Sequence, residues 1–577
     1  MPSRSGAVHV ATAKRRHKGK TYTSHWLRRS LRVGQQVKHE TLGNLSHLPE
    51  PLIDIIRRSL AGQAFVPASE TFLVERSLPQ GHVDAVLGTL RKLGLERLIA
   101  SKPSRQRDLV TALVVERLLE PCSKLATARL WSHSTLAAEL GVEDADENEL
   151  YDALDWLLAR QARIEAKLAK QHLEAGATVL YDVSSSYYQG RHCSLAAFGH
   201  SRDAKKGKPI IVYGVLCDGE GRPLAAAVYP GNTADPATVP DQVEKLKRRF
   251  GLSRVVLVGD RGMLTQTQIE RLRERPGLGW ISALRSPAIR SLVEGGDLQL
   301  SLFDERNLAE IASPDYPGER LVACFNPLLA EERRRKREDL LAGTERELER
   351  LAAEVKRRTR TPLTADQIGV KLGRVLNRYK VGKHFETIIA DGEFVWSRRQ
   401  EAIRREADLD GLYVIRTSEA EASLSAPDTV RTYKSLAQVE RAFRCLKGVD
   451  LRVRPIYHRT PERVRAHIFL CLLAYYVEWE MRRALAPLLF ADEQLASERW
   501  LRDAVAPAQP SAAAKKKKAV RRTPEGLPLH SFQTLLDALA TRCRNTCRVA
   551  DSAPDAAFEQ LTQATPLQRR AFELLGL

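Results

Sequence analysis

Between residues 177 and 286 the chain repeatedly sets short apolar runs between turn residues, and this pattern constrains the fold more than any other feature. ATVLYDVSSS (177–186) reads as a strand closing in a serine-rich turn, and PIIVYGVLCDGEGRPLAAAVYPG (209–231) as a hairpin turned at DGEGRP. RVVLVGD (254–260) is a short continuous apolar strand and GWISALRS (279–286) another. Two amphipathic helices lie between them, over 235–251 and from Thr265 onward. The order β-β-β-α-β-α-β, with central strands apolar on both sides, predicts an α/β fold: a mixed sheet covered by helices.

Around that core the chain changes character. Residues 21–45 hold two Thr-, Val- and aromatic-rich runs around Gly34-Gln35, a candidate hairpin. From about 80 to 175 the apolar spacing is helical throughout. A highly charged helix is expected over about 328–358, with apolar residues at 341, 348, 351 and 355 giving it one contact face. PAQPSAAAKKKKAVRRTPEG (508–526) has the composition of a mobile linker and precedes a last helical stretch. IFLCLLAYYV (468–477) is about half a membrane span, so it is expected as a buried helix with no membrane partner. No apolar signal segment is visible in MPSRSGAVHVATAKRR. Eight cysteines without a CxxC pair predict reduced thiols in a cytoplasmic protein, with Cys543 and Cys547 sharing a helix face.

The chain has 577 residues, enough for roughly three or four units. Its 91 Lys and Arg outnumber 71 Asp and Glu, and a net charge of +20 suggests a polyanionic partner. The first 39 residues carry ten Lys or Arg and no acid. Against this basic background three carboxylates stand out. Asp182 follows TVLY and Asp260 follows VVLVG, each near the end of an apolar run. Either one alone is as well explained by turn formation. Glu440 lies in YKSLAQVERAFRCLKG (433–448), where Tyr433, Glu440 and Lys447 recur every seven residues along one helical stripe. A lone glutamate among cations is ordinarily a solvated ion pair. Taken together, two strand aspartates and one helix glutamate form a hard-oxygen set able to hold two Mg²⁺ ions about 3.5–4 Å apart for phosphodiester chemistry. Lys447, Arg444 and Arg441 supply cations to draw in the polyanion. Asp152 and Asp155 in YDALDW, and the two histidines of HRTPERVRAH, are assigned to capping, surface pairing and packing.

YDVSSSYYQG, SRDAKKGKPIIVYGVL, PGNTADPAT, VGDRGMLT and YKSLAQVERAFRCLKG follow, in order, the core motifs of bacterial insertion-sequence transposases of the DDE type. The chain resembles the branch whose third acidic residue sits in a Tyr…Glu…Lys helical signature. LYDALDWLL, DGLYVIRTS and RPIYHRTPERVRAHIFLCLLAYY extend the likeness, while the position that carries Arg in the broad signature is Leu436 here. The resemblance implies an RNase H-like core with an insertion between the second aspartate and the glutamate. The spacings suit it, 78 residues (260 − 182) and then 180 (440 − 260). It also implies Asp182, Asp260 and Glu440 as catalytic residues and ligands of two Mg²⁺ ions, with Mn²⁺ as a substitute. Tyr433 and Lys447, with Arg444 and Arg441, are the implied DNA contacts.

The segments expected on this basis are a basic hairpin region (1–66) and a helical DNA-binding block (67–175), followed by the first core half (176–289). An insertion (290–430), the second core half (431–500) and a linker with a helical tail (501–577) complete the chain. The expected activity is metal-dependent cleavage at the ends of a mobile element and 3′-OH strand transfer into target DNA. The partners implied are terminal inverted repeats, target DNA and a second copy of the chain, at the nucleoid in a bacterial cytoplasm. A nuclease on the same fold without strand transfer is the enzyme alternative, and a DNA-binding derivative without catalysis is the other, against which the intact Asp182, Asp260 and Glu440 set argues.

Overall fold

Three strands open the chain where one hairpin was expected. Val8–His17 (β1), Lys20–Val33 (β2) and Gln36–Asn44 (β3) pair antiparallel in that order. β1 turns into β2 through Lys18 and Gly19, both at positive φ. That turn places Gly where a side chain would be strained. The Gly34-Gln35 turn and the boundary expected at 66/67 lie outside the described residues. The computed structural model describes every residue except 1–5, 34–35, 64, 66–71, 204, 449, 499–500 and 550–556. Helix Glu50–Leu60 buries Ile53, and its Glu50 meets His25 of β2 at 3.0 Å. Phe72–Pro79 (β4) belongs to a second three-stranded sheet with Cys543–Val549 and Ala557–Leu561. Cys543 and Cys547 therefore lie on a strand and not on a helix, because long-range pairing overrides their i, i+4 spacing. These elements form one unit, Met1–Leu78 with Arg544–Thr562.

The second unit, Pro79–Cys543 with Gln563–Leu577, holds an eight-stranded sheet. Its strands are β5 (Ala177–Tyr187), β6 (Ile210–Asp218), β7 (Pro223–Pro230), β8 (Val255–Val258), β9 (Leu278–Ala283), β10 (Leu308–Ile311) and β11 (Arg320–Phe325). After a separate hairpin of β12 (Phe385–Ala390) and β13 (Glu393–Arg398), β14 (Leu412–Thr417) returns to the sheet. The spatial order is β10-β11-β14-β9-β8-β5-β6-β7. β8 runs parallel to both β5 and β9, and the other junctions are antiparallel. This is the mixed α/β sheet that the strand order predicts, and it is consistent with an RNase H-like core.

The span 290–430 does not stand wholly apart from the core. β10, β11 and β14 extend the same sheet beyond β9. What lies outside the sheet is helix Pro327–Arg357, helix Ala365–Tyr379 and the β12–β13 hairpin, which share a separate apolar core. The charged helix buries Leu341, Leu348, Leu351 and Val355 there, the contact face its spacing predicts. Helix Pro461–Ala484 buries all of residues 468–477 and packs against helices Arg105–Leu119 and Glu147–Leu158. Among the described residues no helix is long and apolar enough to cross a membrane. The segment expected as a linker contains a helix, Ala512–Val520, capped by Ser511 and tied by Lys517 to Glu493 at 2.6 Å. All eight cysteines are free thiols.

Candidate functional site

The parallel ladder between β5 and β8 pairs Ala177 with Val255 and ends with Leu180 opposite Val258. Asp182 and Asp260 each lie two residues further on. The register thus brings both aspartates to the same end of two adjacent strands, where the strands part and the Asp260 charge is felt at Asp182. β5 itself does not stop at the serines. It continues through Ser184–Ser186 to Tyr187, paired with β6. The hydroxyls find partners within the fold: Ser186 Oγ lies 2.9 Å from the Tyr213 hydroxyl, and Ser185 Oγ accepts from Arg202 N–H at 3.1 Å. Asp182 is thus an interior strand residue at the end of one ladder and in the middle of the other.

Asp260 is exposed at the head of a turn. Its Oδ2 accepts the Gly262 N–H at 3.2 Å, while its carbonyl accepts from Met263 and Leu264. The turn-forming role of this aspartate is therefore present in the structure. Asp182 is half-buried, and burial pushes its carboxyl up to about 7, with Asp260 and Asp235 adding to the rise and Arg202 opposing it. Arg202 is itself paired with Asp235 at 2.6 Å. Arg202, Asp235, Gly262 and Arg285 line a cavity of about 330 Å³ beside the turn.

The helical side of the site comes from two helices, not one. Ala426–Lys434 carries Tyr433, and Leu436–Lys447 carries Glu440, with a break at Ser435. There the Ser435 hydroxyl and N–H both donate to the Arg431 carbonyl, at 3.0 and 3.1 Å, and the Gln438 N–H turns to the Ser435 carbonyl at 2.8 Å. The continuous stripe expected through 433, 440 and 447 is interrupted at that point. The Tyr433 hydroxyl is raised by burial and by the Asp260 carboxylate close to it.

Glu440 is exposed, one turn before Phe443, whose ring packs edge-on against Tyr213 at 5.9 Å. Tyr213 pairs with Ser184, and Val215 with Asp182. Directly opposed antiparallel residues share a face, so the Glu440 helix crosses the face that Asp182 occupies. Asp182, Asp260 and Glu440 do not draw their ligand oxygens within 4.8 Å of one another. Among the described residues the trio that does is Cys445, Asp450 and Glu478, where Arg482 already pairs with both carboxylates.

Arg441 and Arg444 are exposed on the same helix. Lys447 is held differently, with its ammonium 3.0 Å from Asp203, a carboxylate only 1% exposed. Asp203 also takes Arg454 at 2.6 Å and the Tyr187 N–H at 3.0 Å. It ties the end of the Glu440 helix to the end of β5. In the sequence Arg202 and Asp203 fall within SRDAKKGKPIIVYGVL, one of the stretches that carry the resemblance, but neither is singled out for a role. The role of Asp203 arises from Lys447 and Arg454, more than 200 residues away. The arrangement offers hard oxygen donors at a strand switch, flanked by arginines. Such a set suits a divalent cation, and the burial penalty on Asp182 is of the kind a cation relieves.

Residues 182–477 match the family described as the transposase DDE domain, and residues 10–69 match the N-terminal domain of IS1634 family transposases. No curated protein matches the chain. Among solved structures, the cryo-EM structure of a piggyBac transposase synaptic complex with hairpin DNA is similar at 10% identity and a TM-score of 0.35. The alignment covers 80% of this chain and 77% of that one.

Proposed function

The chain belongs to the DDE-domain transposases of the IS1634 family, and on that premise we propose that Asp182, Asp260 and Glu440 are the acidic set with which it cuts and joins DNA. As a DDE transposase it is a polynucleotidyl transferase that binds DNA and carries out transposition, and its family implies divalent metal ions. The proposed reaction is cleavage at the ends of the mobile element, followed by attack of the freed 3′-hydroxyl on target DNA. The element's terminal inverted repeats and the target DNA are the proposed partners, and the bacterial nucleoid the place of action.

The observation that supports the assignment is the β5–β8 register, which brings Asp182 and Asp260 to the same end of adjacent strands, with the Glu440 helix crossing the face of Asp182. Two Mg²⁺ ions, replaceable by Mn²⁺, are the proposed cofactors. When bound they supply Lewis acidity at the scissile phosphate. Asp182 from β5 and Asp260 from the turn after β8 would hold the metal, and Glu440 would close the site from its helix. Tyr433 orients the Asp260 carboxylate. Arg441 and Arg444 are the exposed cations placed to receive the DNA backbone, and Lys447 fixes their helix through Asp203 while contributing positive potential. Joining two element ends in one event calls for two active sites, so a homodimer is the proposed working form.

An assay with pre-cut element ends and a circular target tests the reading. Covalent joining of the 3′ ends to the target in Mg²⁺ is expected. Cleavage of uncut ends without any joining would mean a nuclease on this fold.

A further inference from the structure

A second cavity of about 550 Å³ opens between the helical block and the segment that follows the Glu440 helix. It is lined by Arg117, Lys124, Arg452, Arg454, Arg459 and Arg463, with Glu147 as the one carboxylate among its described lining residues. Two of these cations are buried, Lys124 at 3% exposure and Arg117 at 6%. Burying cations without counter-charge costs several kcal/mol by general estimates, so such groups are normally paired. Here they are not. Arg117 gives one N–H to the Cys122 carbonyl at 3.2 Å, and its buried Nε has no partner among the described residues. The Lys124 ammonium makes no hydrogen bond or ion pair among the described residues. Burial and the neighbouring Arg117 push it down to about 7.

The surroundings deepen the positive field. Arg463 stacks on the Tyr151 ring at 4.4 Å, and the cavity wall includes the N-terminus of the 24-residue helix Pro461–Ala484. His458 and His467 are buried beside the same cations, and burial together with those cations holds both rings neutral, so they add no charge of either sign. Tyr457, 60% exposed, stands at the rim.

We propose that this cavity is a phosphate-binding site separate from the carboxylate site, filled by a phosphate group of the bound DNA with Lys124 and Arg117 as its buried donors. The chemistry fits: an anion with several acceptor oxygens satisfies the open Arg117 and Lys124 donors, and Tyr151 and Tyr457 offer apolar surface to the attached nucleoside. Assigning DNA as the source rests on the reading of the chain as a DNA-binding transposase. A free phosphate compound shares the chemistry.

The test uses the full chain without divalent metal, so that its result is independent of Asp182, Asp260 and Glu440. Inorganic phosphate, against chloride at equal ionic strength, is expected to raise the melting temperature of the wild type. Lys124→Met should fold with a melting temperature at or above that of the phosphate-free wild type, and should lose the phosphate effect. For binding of element-end DNA, Lys124→Met and the exposed-rim change Arg459→Ala should each lower the salt slope by about 0.9, the value for one neutralised phosphate. If Lys124→Met does not fold, the slope of Arg459→Ala decides. No phosphate stabilisation together with unchanged slopes overturns the site. Phosphate stabilisation that disappears in the variant while the DNA slope stays unchanged overturns the assignment to DNA and leaves a free phosphate compound as occupant.

Discussion

Replacing Asp203 with Asn probes how the glutamate helix is seated. The carboxylate is 1% exposed and holds Lys447 at 3.0 Å, Arg454 at 2.6 Å and the Tyr187 N–H at 3.0 Å. Asn keeps the shape and the backbone hydrogen bond but removes the charge. Removing one partner of a buried ion pair costs about 3–5 kcal/mol, because the other charge stays buried and uncompensated. Arg454 is 35% exposed, so its share is screened by water, whereas Lys447 at 9% is not. The expected loss is therefore near the low end, about 3 kcal/mol. Burial already depresses the Lys447 ammonium, and Asp203 is what opposes that shift. Adding Lys447→Met removes the stranded charge, so the double variant should recover at least about 1 kcal/mol relative to additivity. Urea midpoints of the four proteins measure the cycle. A single-variant loss under about 1 kcal/mol, or additive changes, would refute the claim that this pair anchors the helix.

Glu116 is buried, and burial raises its carboxyl to about 7, with Glu120 adding to the rise. Because its folded value exceeds the unfolded value of about 4.3, its contribution to stability is complete below that pH and is lost as pH rises through about 7. Glu116→Gln should flatten that part of the melting-temperature profile, and an unchanged profile would contradict the shift. An added Cβ at Gly214 would meet the Tyr181 hydroxyl at 2.3 Å, so Gly214→Ala should destabilise the chain by about 1–3 kcal/mol in urea unfolding. The exposed cations Lys14, Arg15 and Arg16 lie along β1. Replacing all three with Ser should reduce the salt slope of DNA binding by up to about 0.9 for each phosphate no longer neutralised, and an intact slope would make that sheet structural only.

The strands VVLV of β8 and IIVYGVLCD of β6 were legible because an apolar run between breakers has few other fates. β1 was not. VHVATAKRRH is exposed along its second half and offers no period-2 alternation, so its strand character comes from pairing with β2. The same applies to β10, β11 and β14, whose local strand character says nothing about which sheet they join. Asp182 and Asp260 were visible as a pair of similar contexts, while their adjacency follows from a register that no local window contains. The break at Ser435 was hidden for a related reason: serine is tolerated in helices, and only the bond of the Gln438 N–H to the Ser435 carbonyl, three residues back, shows where the ladder changes. The anchoring role of Asp203 rests on two partners from a distant segment, Lys447 and Arg454, which no local window contains.

The central claim is that Asp260 is a reacting-site carboxylate as well as the residue that accepts the Gly262 N–H in its turn. Asp260→Asn separates the two, since Asn suits the same turn without the charge. The measurement is single-turnover cleavage of pre-bound element-end DNA in Mg²⁺, with DNA affinity and melting temperature recorded on the same protein. The account predicts that affinity and folding persist while cleavage and strand transfer are lost. A cleavage rate within about tenfold of wild type, some 1.4 kcal/mol of barrier, would contradict it and leave Asp260 as a turn residue alone.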